Sequence, residues 1–304
     1  VRWSVVVSIA LLFVIAPLLP GIAAKTRARL TGRRGAPVLQ PYRDLARLWR
    51  KGVVYSRDTS WMFRFAPIAL VATAAFAATL VPLDGQRAVL SFSGDFVAFA
   101  YLLALGRFLL VLAALDTGSS FEGMGASREV TVAAFAEPTL FVAFVALVLA
   151  TGDLSLGGAL GGPLSQAWPD AAPALAMVTV SLFLVLLAEG SRVPVDDPAT
   201  HLELTMIHEV MVLDHSGPDF ALILYGHALK LALFGSLLVG TLVPRAALTA
   251  PLAIAVLVLG LVVVAVAVGI VESVMARLRL NRVPQFLTAA SALAALGVIL
   301  LLVG

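Results

Sequence analysis

The sequence predicts an all-α fold. It reads as a polytopic integral membrane protein of about eight transmembrane helices with cytoplasmic amphipathic and loop segments, a single membrane domain over residues 1–304. Three observations carry this. Hydrophobic residues make up 61% of the chain and charged residues 13%, against about 25% charged in an ordinary soluble domain. The apolar residues gather into runs of 18 to 24, the length that crosses a hydrocarbon core about 30 Å thick. The basic residues sort to one side of those runs, as the positive-inside rule requires.

The first run, Val5 to Ala24, has its basic cluster after it, the reverse of a cleaved secretory signal, so it reads as a retained helix. The segment from Gln40 to Lys51 follows. It puts Tyr42, Leu45 and Trp49 on one helical face and Arg43, Arg47 and Arg50 on the other, with Pro41 in the first turn. This is the pattern of a helix lying flat at the cytoplasmic interface as a lipid-surface anchor. The remaining runs are Phe65 to Leu83, Phe96 to Leu115, Val130 to Ala150, Ala171 to Ala188, Phe220 to Val243, Leu248 to Val271 and Phe286 to Val303. They are apolar on every face, whereas a transmembrane barrel would show alternating segments of about ten residues.

Orientation follows from the 21 Lys and Arg residues. Eleven lie between Lys25 and Arg64, and Arg128, Arg192, Arg277, Arg279 and Arg282 bring that side to 16. Arg2, Arg87 and Arg245 lie on the other side, and Arg107 and Lys230 fall within spans. The 16-residue side is expected in the cytoplasm, with both termini outside. The net charge of +3 reflects this asymmetry and makes the lipid bilayer a partner and nucleic acid none. Cysteine is absent, so the chain offers neither disulfides nor thiolate ligands for an iron–sulfur cluster.

Ionisable residues inside spans cost about 2.5–3.5 kcal/mol each on insertion scales and usually face a protein interior or a hydrated cavity. Here they are Arg107, Glu137, His227 and Lys230, with Asp116, Glu129, Glu189 and Glu272 near span ends. Two readings stand for the end-of-span groups, structural ion pairs or functional ones. For Glu137 and Lys230, deep in their spans, a hydrated or proton-handling role is preferred. His227 and Lys230 are three apart and share a helix face.

Two loops are too polar for their setting. Residues 189–216, EGSRVPVDDPATHLELTMIHEVMVLDHS, hold His201, His208 and His215. On a helix, residues seven apart stand about 10.5 Å apart, too far to share a metal with bonds of about 2 Å, so no metal site is assigned. Residues 116–129, DTGSSFEGMGASRE, hold three glycines but lack the lysine and spacing of a phosphate-binding loop. A tight turn between helices explains them equally well. These loops, with 25–64 and 273–283, fall on one side and are expected to form a pocket or docking face there.

The segments QPYRDLARLWRKG, ALDTGSSFEGMGASREVTVAAFAEP, LLAEGSRVPVDDPATHLELTMIHEVMVLDHSG and VESVMARLRLNRVPQFL resemble, in order and over nearly the whole chain, the quinone-chamber subunit of respiratory complex I (subunit 1, or H). They resemble more closely its counterpart in formate hydrogenlyases and group 4 membrane-bound nickel–iron hydrogenases. The complex I pattern Ala-Glu-x-x-Arg-x-Pro-Phe-Asp with a following Glu-Leu is matched at Glu189, Arg192, Pro194, Asp196, Glu203 and Leu204. Val195 stands where that pattern has Phe, and Ala199 and His201 where it has acids. The Asp-Thr-Gly-Ser and Leu-Asp-His-Ser-Gly signatures look hydrogenase-like.

The resemblance implies a non-catalytic, membrane-anchoring subunit of an oxidoreductase complex that links a cytoplasmic redox arm to proton or sodium movement across a bacterial or archaeal cytoplasmic membrane. It implies a hydrogenase-like large subunit and an iron–sulfur small subunit on the cytoplasmic side, antiporter-like membrane subunits beside it, and iron–sulfur clusters and nickel–iron on those partners, with no cofactor in this chain. Quinone binding, as in a complex I-type reductase, and an independent secondary transporter are the alternatives. A transporter is expected to show inverted repeats, and no convincing repeat is found.

By resemblance Glu189 and Glu203 belong to an acidic funnel, Arg192 and Asp196 shape its cavity, and Glu129 matches the glutamate that begins the fourth span. The proton-path set is therefore Glu129, Glu137, Glu189, Glu203, Glu209, His227 and Lys230. The cavity and arm-docking set is Asp116, Arg128, Arg192, Asp196, Asp197, His201, His208, Asp214, Arg277 and Arg279. Glu129, Glu189 and Glu203 are expected to form one acidic group.

Overall fold

The computed structural model describes residues 3–86, 88–197, 206–243 and 245–303, and among these every regular element is helical. Helices α1 (Trp3–Ile15) and α2 (Leu18–Leu30) form one bent pair. They are followed by α3 (Gln40–Leu48), α4 (Trp61–Ala78), α5 (Asp95–Asp116), α6 (Ser120–Thr151), the short α7 (Leu156–Ala159), α8 (Gly162–Glu189), the short α9 (His208–Met211), α10 (Gly217–Leu242), α11 (Ala250–Val274) and α12 (Val283–Val303). Seven stretches are long and apolar enough to cross a membrane, and the bent pair makes an eighth. The chain is a multi-pass membrane protein.

The main departures from the sequence reading lie in the first span, at the start of α8 and in residues 116–129. The first span bends by 45° between α1 and α2 at Pro17, which has no N–H to give Phe13 O. The Tyr225 hydroxyl donates to Phe13 O instead, at 3.0 Å, and the Tyr42 hydroxyl donates to Val14 O. Tyr42, expected to face lipid as part of a surface anchor, thus ties α3 to α1. Helix α8 extends to Gly162, with its break at Ala171 (φ −113°, ψ 20°) between Pro169 and Pro173.

The largest difference lies in residues 116–129. Gly118 makes a turn with φ +67°, and from Ser120 onward the segment is the first part of α6, a 32-residue helix. Gly125 is required there by close approach. A side chain at that position would reach within 3.0 Å of Ile207 O and Met211 N, so only glycine lets α9 lie against α6.

Helix α10 is the most buried of the spans and packs on α4, α8 and α11. One apolar cluster joins it to the inner faces of α1, α4, α5, α6, α8 and α11. At the end opposite the basic loops, the buried Arg245 donates to Leu83 O at 2.9 Å, pinning the α10–α11 connection to the α4–α5 loop.

Candidate functional site

A line of ionisable side chains runs through the middle of this bundle. It starts at Glu129, two turns into α6 and buried, whose Oε2 lies 3.1 Å from Nδ1 of His208 on α9. The His208 ring meets the His227 ring of α10 edge-on, with centroids 4.5 Å apart. One turn along α10, Lys230 Nζ lies 2.5 Å from Glu189 Oε2 at the end of α8. The other oxygen of Glu189 accepts from Arg107 Nη1 of α5 at 2.6 Å, and Arg107 Nη2 donates to Glu137, back on α6. Glu129 and Glu137 stand eight residues apart, about 12 Å along that helix.

The line is buried over most of its length and opens at one end. Arg107, Glu129, Glu189, His208 and Lys230 are all buried, whereas the Glu137 side chain is 34% exposed. It borders a cleft of about 320 Å³ between α5 and α6, lined by Arg107, Glu137 and apolar side chains including Phe108, Val111 and Val130. Phe108 and Val130 face outward from the bundle.

Above the line, at the basic end, a second layer fixes the loop that follows α8. Arg27 of α2 holds both oxygens of Asp197, at 3.0 and 3.3 Å. Arg277, after α11, reaches Asp196 at 3.0 Å, and Arg192 reaches Glu272 of α11 at 3.3 Å. The Leu278 N–H donates to Pro194 O at 2.9 Å. Asp196 Oδ2 accepts the His208 backbone N–H at 3.0 Å, so this layer positions the imidazole that opens the buried line.

Of the expected proton-path residues, the structure thus brings together Glu129, Glu137, Glu189, His227 and Lys230, while Glu209 sits half-buried on α9. Glu203 and His201 lie outside the described residues. The carboxylates do not form the contiguous acidic group expected of Glu129 and Glu189, because His208, His227, Lys230 and Arg107 come between them. Buried carboxylates repel, and interleaved cations remove that cost.

In the docking set, Arg192, Asp196, Asp197, His208 and Arg277 build the second layer. Arg128 donates to Met206 O at 2.7 Å and holds the start of the α9 segment. Three residues stand apart: Asp116 accepts the Ser60 N–H at 2.6 Å, the exposed Asp214 gives its N–H to Glu122 at 2.9 Å, and Arg279 points outward. His215 stacks on Phe63 with ring centroids 3.9 Å apart. Both its nitrogens lack hydrogen-bond partners among the described residues, and burial lowers its pKa to about 4. Among the described residues no group of three or more His, Cys, Asp or Glu is arranged to hold a metal.

Arg27 and Glu272 belong to the second layer and were absent from both sets. Arg27 is one of five basic residues within ten positions after the first span, and nothing in that cluster distinguishes it. Glu272 ends an apolar run, which was a usable signal.

Comparison with known proteins places this architecture. The NADH dehydrogenase family matches residues 3–303. The chain belongs to that family. Formate hydrogenlyase subunit 4 of Escherichia coli (strain K12) is 32% identical over 284 residues, 90% of each chain. Hydrogenase-4 component C of the same organism is 32% identical over 234 residues, 77% of this chain and 73% of the relative. The H-type subunit of the NADH-quinone oxidoreductase of Wolbachia pipientis wMel is 27% identical over 254 residues, 75% and 73% of the two chains. A chain in the structure of the membrane-bound sulfane sulfur reductase, an archaeal respiratory membrane complex, has the same fold, with a TM-score of 0.80, 20% identity and 98% of both chains covered. In this member of the NADH dehydrogenase family, the residues of the motif around Glu189 and Arg192 stand at the meeting point of the buried line and the layer above it.

Proposed function

We propose that this chain is the membrane-anchoring, ion-coupling subunit of a multisubunit oxidoreductase of the formate hydrogenlyase and membrane-bound hydrogenase type. The observation that carries the reading is the buried line from Glu129 to Glu137, which leads from the loop layer at the basic end to a cleft on the side of the bundle. Groups of this kind inside spans mark ion pathways. A line that begins beneath a polar docking face and ends beside the membrane suits a subunit that passes protons, or sodium ions, in response to chemistry performed on another chain.

In this reading the basic end faces the cytoplasm and both termini lie outside. The loops there receive a hydrogenase-like large subunit and an iron–sulfur small subunit, which hold the iron–sulfur clusters and nickel–iron. Antiporter-like membrane subunits cover the cleft at Glu137. In this reading the chain holds and moves protons on its own side chains, and its lack of cysteine leaves no thiolate for a cluster.

Tagging the chain, extracting it in mild detergent and identifying what accompanies it tests the reading. A large subunit with metal-binding cysteines and an iron–sulfur small subunit are expected. A well-behaved monomer that transports ions by itself in liposomes would contradict it.

A further inference from the structure

The permanent charges of the buried line do not balance. In the layer above, Arg27 pairs with Asp197, Arg192 with Glu272 and Arg277 with Asp196. In the line itself, among the described residues, the carboxylates of Glu129, Glu137 and Glu189 face two permanent cations, Arg107 and Lys230. An uncompensated charge in a low-dielectric interior is expensive, and one additional proton makes the line neutral.

The geometry narrows where that proton sits. Glu189 receives both cations, at 2.6 and 2.5 Å, and Glu137 receives Arg107. The ion-pair contact of Glu129 is His208 Nδ1, at 3.1 Å. The charged and titratable groups facing His208 are Glu129 from α6, Asp196 from the loop after α8, and His227 and Lys230 from α10. Burial lowers the pKa of His208, and the charge and hydrogen bond of Glu129 outweigh it, leaving the pKa raised.

We propose that His208 stores the single mobile proton of the line, as an imidazolium donating through Nδ1–H to Glu129, and that His227 is its acceptor. The inference rests on the ion-coupling reading above and names the group that titrates. Transfer leaves neutral His208 and an imidazolium at His227, and needs no other reactant. Lys230, one turn away on α10, repels a cation at His227, so the proton returns to His208 at rest. Helix α9, which carries His208, is held by Asp196 and Arg128, and these contacts set the spacing of the two rings.

Infrared spectra of the purified, assembled protein distinguish an imidazolium beside a carboxylate from a neutral imidazole beside a carboxylic acid, because only the acid has the protonated C=O stretch. At neutral pH, Glu129→Gln is expected to remove no such band from the wild-type spectrum. His208→Gln is expected to gain one protonated-carboxyl band per chain, which disappears when Glu129→Gln is added. A band lost on Glu129→Gln alone would overturn the proposal, and so would His208→Gln gaining none. If His208→Gln fails to assemble, the histidine ring bands of the wild type at neutral pH decide the question: an imidazolium lost on Glu129→Gln is expected, and neutral imidazole alone would overturn the proposal. These bands report the resting proton, so a chain that moves no ions would refute the ion-coupling reading without altering them.

Discussion

Lys230 Nζ and Glu189 Oε2 lie 2.5 Å apart with each side chain 5% exposed, and Arg107 holds the other oxygen of the same carboxylate. Three helices, α5, α8 and α10, are joined at this one group. Breaking a buried pair by removing one partner typically costs about 3–5 kcal/mol, because the other charge is left unpaired.

Replacing Glu189 with Leu strands Lys230 and leaves Arg107 with Glu137 alone, whereas replacing Lys230 with Met leaves Glu189 paired with Arg107. The Leu variant is expected to be the less stable, by about 2 kcal/mol or more, in thermal denaturation of the purified protein. Equal losses would show that the carboxylate is not shared as the geometry indicates.

The second layer makes a separate prediction. Arg27→Ala removes both hydrogen bonds to Asp197, and bonds to charged groups contribute about 1.5–3 kcal/mol each. Hydrogen exchange at residues 190–197 is expected to quicken while exchange in α10 is unchanged. Unaltered exchange at 190–197 would mean that Arg277 and Arg192 hold the loop unaided.

His215 predicts a pH dependence. Its folded pKa of about 4 lies below the ordinary value of 6.5, so the folded state binds fewer protons than the unfolded one. Stability from this site is complete above about pH 6.5 and falls as the pH drops toward 4, by about 3 kcal/mol. His215→Phe keeps the ring against Phe63 and is expected to flatten the fall in Tm between those values. An unchanged acid slope would place the sensitive group elsewhere.

The topology is tested by reporters fused at the C-terminal end and within residues 31–35. With 16 basic residues on one side and three on the other, the two are expected to report opposite faces of the membrane. A cytoplasmic signal from the C-terminal fusion would contradict both termini lying outside.

The seven apolar helices and the bent pair were legible because hydropathy averages over some twenty residues and tolerates local breaks such as Pro17. The helical start of α6 was not. Its glycines and serines have weak helix propensity, and they are helical because Gly125 lets α9 pack against them, a tertiary effect. The in-span residues Arg107, Glu137, His227 and Lys230 announced themselves by their cost in a membrane. Their order did not, since the line passes from α6 through α9, α10, α8 and α5 and back to α6. No sequence spacing encodes that path. Nor does it show that cations interrupt the carboxylates, which changes the expected behaviour from a proton-holding acidic group to a chain of ion pairs with an imidazole link.

In the proposed function the buried line couples redox chemistry on a partner to ion movement. Glu189→Gln keeps the shape of its centre and removes its charge. In the assembled complex reconstituted in sealed vesicles, substrate-driven ion movement is the direct measurement. The variant is expected to assemble and to reduce the clusters of its redox arm at the wild-type rate, while ion movement per turnover falls at least tenfold. Wild-type ion movement in an assembled Glu189→Gln complex would contradict it.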